Sequence, residues 1–151
     1  MGKLFRKSLI RTDIESCWAF FSSPTNLSKI TPKDMSFVIK KFDGQFMYEG
    51  QKIEYLLKPI FGIPFTWITL IESVKINSEF VDRQVKGPYK IWHHRHIFKE
   101  TKEGIEMIDM VHYKLPLGIF GKLTEIIFVN KKIKKIFDYR ELVIQKYFAE
   151  N

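Results

Sequence analysis

The sequence predicts an α+β fold: a curved antiparallel sheet of seven strands, two short helices after the first strand, and one long C-terminal helix in the concavity. Three observations carry this. From Met35 to Leu115 apolar and polar residues alternate in runs separated by turn residues, the period-two pattern of half-buried antiparallel strands. From Leu117 to Phe148 the spacing becomes three and four. Ile126, Val129, Ile133, Ile136, Phe137, Val143, Ile144 and Tyr147 build one face, while Lys131, Lys132, Lys134, Lys135 and Lys146 cover much of the rest. Such a helix is about 40 Å long at 1.5 Å per residue and needs a broad apolar surface, which only the strands can supply.

The elements follow in order. Lys3 to Ile10 reads as a strand with Leu4, Arg6, Ser8 and Ile10 on one side. Thr12-Asp13-Ile14-Glu15 fits a capping box with Thr12 as the cap, starting a helix to Phe21 that buries Ile14, Cys17, Trp18 and Phe21. Pro24 suits the first turn of a second helix, which Thr31-Pro32 ends. Phe37 and Ile39 begin the second strand, and Asp43-Gly44 turns the chain. Ile53, Tyr55 and Leu57 share the inner face of the third. Pro59 and Phe61-Gly62-Ile63-Pro64 read as a hairpin loop. Trp67, Thr69 and Ile71 lie on a long fourth strand to Lys75, with a turn at Asn77-Ser78. Phe80–Val85, Tyr89–Lys99 and Ile105–Leu115 complete the meander, and Pro116 and Gly118 lead into the long helix. No linker, repeat or composition shift divides the chain, so residues 1–151 are expected to form a single domain.

This order of elements resembles the helix-grip fold of the START-like, or SRPBCC, superfamily, whose members include polyketide cyclases, plant pathogenesis-related proteins and lipid-transfer domains. Gly87-Pro88-Tyr89-Lys90-x-Trp92-x-His94-x-His96-x-Phe98, followed by Asp109-x-Val111-x-Tyr113-x-Leu115-Pro116-x-Gly118, is similar to one bacterial branch of it. Phe80-Val81-Asp82-x-Gln84 before these and Phe137-x-Tyr139-Arg140 after them extend the likeness along the whole chain. The resemblance implies a ligand held in the grip but names no substrate. Proteins of that branch commonly carry a cell-division label.

Composition narrows the partners. The net charge of +8 has no accompanying pattern of alternating basic and exposed aromatic residues, so no nucleic acid is expected. The single Cys17 gives no disulfide framework and fits a reducing compartment. The N-terminus lacks a signal-peptide core, and no apolar run approaches the roughly 18 residues of a membrane span. A cytoplasmic protein without stable membrane insertion, monomeric or dimeric, is expected. There is no glycine-rich phosphate loop, cysteine cluster or nucleophile elbow.

The candidate site comes from strand alternation. Trp92, His94, His96 and Phe98 share one face of the sixth strand, and burying the other face would bury Arg95 instead. Phe80, Asp82 and Gln84 share a face of the fifth strand; Met107, Asp109, Val111 and Tyr113 share one of the seventh. If the large apolar residues mark the inside, Asp82, Gln84, His94, His96 and Asp109 converge within the grip. They can form a hydrogen-bonded structural network, bind a ligand, or do acid–base work with His94, His96 and Asp109 as catalytic candidates. Zinc would need Asp109 or Asp82 as a third ligand beside the histidines; no metal or cofactor is expected. Arg140 falls on the gripped face of the helix, where a charge needs a partner, and a salt bridge to Asp82 or Asp109 is favoured over an anionic ligand group.

The expected function is binding of a small, largely apolar molecule or lipid between sheet and helix. Tyr55, Trp67, Trp92, Tyr113 and Phe137 would form the aromatic wall, and Asp82, Gln84, His94, His96, Asp109 and Arg140 the polar contacts. The alternatives are a cyclase- or dehydratase-like enzyme using His94 or His96, and a ligand-free interaction protein with a collapsed grip and the basic Lys131–Lys135 stretch as its contact. The apolar segments 61–65 and 117–121 suit a lid at the cavity mouth.

Overall fold

In the computed structural model, which describes residues 1–60, 62–116 and 124–150, the alternating segments form one seven-stranded antiparallel sheet. The strands are β1 (Gly2–Ile10), β2 (Val38–Lys41), β3 (Lys52–Ile60), β4 (Ile63–Lys75), β5 (Glu79–Lys86), β6 (Ile91–Thr101) and β7 (Gly104–Lys114). The helices are α1 (Ile14–Phe21) and α2 (Thr124–Glu150). The spatial order is β1-β7-β6-β5-β4-β3-β2, so β2 to β7 form a meander and β1 pairs with the last strand. Register shifts in the β2–β3, β3–β4 and β4–β5 ladders mark bulges, which bend strands and increase twist.

Several local expectations are refined. Asp13, not Thr12, caps α1: its carboxylate accepts from the Ser16 backbone N–H at 2.7 Å and from the Ser16 hydroxyl at 2.8 Å. A carboxylate at this end also complements the helix dipole. The second helix is a 3₁₀ turn, Pro24–Ser28, and another 3₁₀ turn follows at Lys33–Met35. The β3–β4 loop is shorter than its prolines suggest, because the ladder resumes at Ile60 opposite Ile63 after a bulge that accommodates Pro59. Phe61 and the 117–121 part of the expected lid lie outside the described residues, as does the first turn expected for the long helix.

Helix α2 buries Val129, Ile133, Phe137 and Ile144, spaced by whole turns. Arg6 on β1 pairs with both Asp138 and Glu141, and Gln145 donates to the Leu9 carbonyl at 2.7 Å, which fixes the helix along the first strand. Asp138 and Glu141 thus hold the helix to the first strand.

The apolar interior divides in two. One cluster gathers around α1, with Ile14, Trp18 and Phe21 against Phe80, Phe98 and Met107. The other joins Leu57, Trp67, Tyr89, Val111 and Tyr113 to Val129, Ile133 and Phe137 of α2. Tyr55 packs against both. The candidate site lies at their seam.

Candidate functional site

The inner face of β6 is the one carrying His94 and His96, which are 3% and 4% exposed, while Arg95 on the opposite face pairs with Glu79. Register then sets the neighbours. Asp82 stands opposite His94 across β5–β6, and Asp109 stands opposite His96 across β6–β7. The hydrogen bonds run diagonally: His94 Nε2 to Asp109 Oδ1 at 2.7 Å, and His96 Nε2 to Asp82 Oδ2 at 2.9 Å. The remaining ring nitrogens face the other carboxylate, His96 Nδ1 at 3.2 Å from Asp109 Oδ1 and His94 Nδ1 at 3.8 Å from Asp82 Oδ2. His96 Nδ1 is buried without a well-aligned hydrogen bond. The imidazoles lie 3.6 Å apart between ring centres; Phe80 stacks on His96 and the edge of Phe137 meets His94.

This packing separates the protonation states. Burial and the neighbouring charge of His96 push His94 down to about 4, against the pull of Asp109, so His94 is neutral at physiological pH. Its tautomer follows from the Asp109 bond: Nε2 carries the proton and Nδ1 a lone pair. Burial also opposes charge on His96, but Asp109 and Asp82 outweigh it and raise that imidazole above its ordinary value. Burial would raise both carboxylates. Instead the His96 hydrogen bond and the neighbouring imidazoles hold Asp82 below the usual range, and the His94 hydrogen bond with the close approach of His96 does so for Asp109.

A cavity of about 140 Å³ opens beside this cluster. Its walls are mostly apolar, including Met35, Phe37, Met47, Leu57, Ile71, Tyr89 and Ile133. Of the residues singled out in the sequence, Tyr55, Trp67, Asp82, Trp92, His94, His96, Phe137 and Arg140 line it. Thr69 organises part of the wall by accepting from Trp67 Nε1 at 3.1 Å and hydrogen bonding the Tyr55 hydroxyl. Burial and the field of Asp82 keep that phenol protonated.

Three expected contacts lie elsewhere. Asp109 sits behind the histidines, on a small void lined also by Arg6, Ser8 and Glu141. Gln84 folds back over the β5–β6 turn, donating to the Tyr89 carbonyl at 2.6 Å and accepting from the Tyr89 N–H at 3.2 Å. Tyr113 belongs to the second apolar cluster, and its hydroxyl donates to Asn130 on α2.

Arg140 departs most from expectation. The favoured salt bridge to Asp82 or Asp109 does not form: among the described residues no carboxylate lies within ion-pair distance of its guanidinium, which rests over Phe137, 4.9 Å from the ring centre. Both aspartates are engaged by histidines. Its charge still acts at longer range on Asp82 and Tyr55.

Sequence reasoning did not single out Phe80, Thr69, Tyr89 or Met47. Phe80 and Thr69 share the inner alternation of Asp82 and Trp67, so that signal was present. Met47 lies in a loop and has no periodicity to reveal it.

No protein-family model and no curated protein matches the chain. Solved structures do. A protein from Thermus thermophilus superposes with a TM-score of 0.72 at 12% identity, covering 99% of this chain and 98% of the other. A Mycobacterium smegmatis protein gives 0.70 at 12% identity over 98% and 91%. Ara h 8.0201 gives 0.66 at 12% identity over 99% and 99%. At such identities the likeness shows the fold, and the fold is helix-grip: a curved antiparallel sheet closed on a long C-terminal helix. No described helix is long and apolar enough to cross a membrane.

Proposed function

We propose that the protein binds a small, largely apolar molecule between sheet and C-terminal helix, with an anionic or hydrogen-bond-accepting group turned toward Arg140. The observation that carries this is a cavity walled by aromatic and aliphatic side chains whose polar features, Asp82, His94 and Arg140, which meets no carboxylate among the described residues, face one space. Volume limits the ligand. About 140 Å³ is close to an apolar cavity of about 150 Å³ known to take up benzene, and well below the roughly 300–1,000 Å³ of drug-sized sites. A ligand of about one ring fits the present spacing; a long acyl chain requires the helix to move away. A cavity of this size also speaks against a collapsed grip that only serves as an interaction surface.

The test is native mass spectrometry of freshly purified protein beside its denatured extract, with NMR titration of benzoate and toluene as probes. A recurrent co-purifying small molecule, or saturable shifts of the Trp67 and Trp92 indole N–H signals that weaken for benzoate in Arg140→Gln, is the expected result. An empty protein whose indole signals respond to neither probe would overturn the proposal.

A second reading, a cyclase- or dehydratase-like enzyme, is favoured by one feature. His94 Nε2 is held by Asp109 while Nδ1 has no hydrogen-bond partner among the described residues, as in an oriented general base. It requires turnover of a bound carbonyl compound that disappears in His94→Gln although binding persists.

A further inference from the structure

The two histidines are oriented oppositely. His94 presents Nε2 to Asp109 and leaves Nδ1 toward Asp82; His96 presents Nδ1 to Asp109 and leaves Nε2 toward Asp82. Thus each ring turns one nitrogen to the rear carboxylate and one to the carboxylate at the cavity wall. A hydrogen-bonded core network needs no such symmetry, and it leaves His96 Nδ1 buried without a proper bond. A metal centre accounts for it. Ligating imidazoles commonly donate their second ring N–H to a carboxylate, which sets the tautomer and the ring orientation.

We propose that Asp82, His94 Nδ1 and His96 Nε2 form a site for a divalent transition-metal ion, with Asp109 as the outer carboxylate that orients both imidazoles. The donor atoms of the three ligands lie within 4.8 Å of one another. Tetrahedral coordination with bonds of about 2.0–2.1 Å places ligand atoms about 3.3 Å apart. The two separations from Asp82 Oδ2, 2.9 and 3.8 Å, straddle that value. Side-chain rotations that bring the two imidazole nitrogens, within 4.8 Å of each other, to about 3.3 Å would close the site around a zinc-sized ion.

Charge agrees. Metal binding displaces the proton from each ligating imidazole nitrogen, and the carboxylates of Asp82 and Asp109 then offset the charge of a divalent cation. Two imidazole nitrogens and one carboxylate suit zinc or iron(II) rather than magnesium or calcium, which prefer all-oxygen shells. Three protein ligands leave a coordination position open, and Asp82, His94 and His96 all border the cavity. A ligand entering from that side would meet the metal, with Arg140 beside it. The proposal goes beyond organic-ligand binding and does not depend on it.

The experiment uses the intact chain, stripped with chelator and dialysed, then titrated with Co²⁺ by absorption and with Zn²⁺ against a chromophoric chelator. One equivalent of tightly held metal is expected. Asp109→Asn should weaken it about 10–100-fold, the usual effect of losing an outer-shell partner. His94→Gln and His96→Gln should each abolish it, while His93→Gln and His112→Gln on the outer face leave it unchanged. Since inner-face variants can fail to fold, long-range ¹H–¹⁵N spectra of the wild-type imidazoles give a reading without mutation. Zinc should shift His94 and His96 and leave His93 and His112 in place. Absence of stoichiometric uptake, or shifts confined to His93 and His112, would overturn the proposal. Metal uptake is measured without organic ligand, so its failure is distinct from failure of ligand binding.

Discussion

Asp82 stands directly opposite His94 in the β5–β6 ladder, yet its carboxylate accepts from His96, two residues further along the strand. The reciprocal crossing occurs at Asp109, which is opposite His96 and bonds His94. Diagonal neighbours on a sheet face are about 7–8 Å apart between backbones, a span that an aspartate and an imidazole bridge comfortably. The crossing ties three strands into one polar unit.

Strong coupling between Asp82 and His96 follows. Asp82→Asn and His96→Gln should each cost about 1.5–3 kcal/mol, the range for hydrogen bonds to charged groups. The double variant should cost less than their sum by at least about 1 kcal/mol. Urea unfolding of the metal-free proteins measures the cycle; additivity within about 0.5 kcal/mol would mean that the groups act separately.

Arg140 and Arg6 should behave differently on removal. Arg140→Gln breaks no ion pair among the described residues and should change unfolding free energy by no more than about 0.5 kcal/mol. Arg6→Gln severs both contacts to α2 and should cost about 1 kcal/mol, since these pairs are partly exposed. The same urea assay decides. A large loss from Arg140→Gln would restore the structural clamp suggested by its position on the helix.

Glu79 gives a pH dependence away from the site. Hydrogen bonds from Lys75 and Arg95 hold its carboxyl below the usual value against a smaller effect of burial. The unfolded chain therefore binds this proton more readily. The stabilisation is fully present above the unfolded value near 4.5 and is lost as pH falls from there through the folded value. Comparing wild type with Glu79→Gln in urea between pH 7 and 3 should show their stability difference shrinking below about 4.5. Parallel profiles would refute the assignment.

Gly87 has a specific role beside Gln84. Its φ of 156° is rare for residues with a side chain, and an added Cβ would sit 2.3 Å from Gln84 Oε1. Gly87→Ala should therefore displace Gln84 from Tyr89 and destabilise by about 1–3 kcal/mol. In a Gln84→Ala background the same substitution should cost less. Equal cost in both backgrounds, again by urea unfolding, would place the penalty in the backbone alone.

By itself the sequence determined the order of elements and the sidedness of each strand. Alternation around Trp92 and Phe98 put His94 and His96 inside and Arg95 outside, because the pleat fixes sidedness locally and the large rings must be buried. It likewise marked Asp82 and Asp109 as inner-face carboxylates, and the three-and-four spacing marked the gripping helix. Only the tertiary structure decided the pairings: Asp82 at the cavity wall and Asp109 behind, Gln84 turned onto Tyr89, Tyr113 tied to Asn130, and Arg140 over Phe137 rather than paired with Asp82 or Asp109. These depend on register, bulges and the placement of α2 along β1 through Arg6. All bring together residues distant in the chain, and no local periodicity encodes which of two neighbouring carboxylates a side chain will reach.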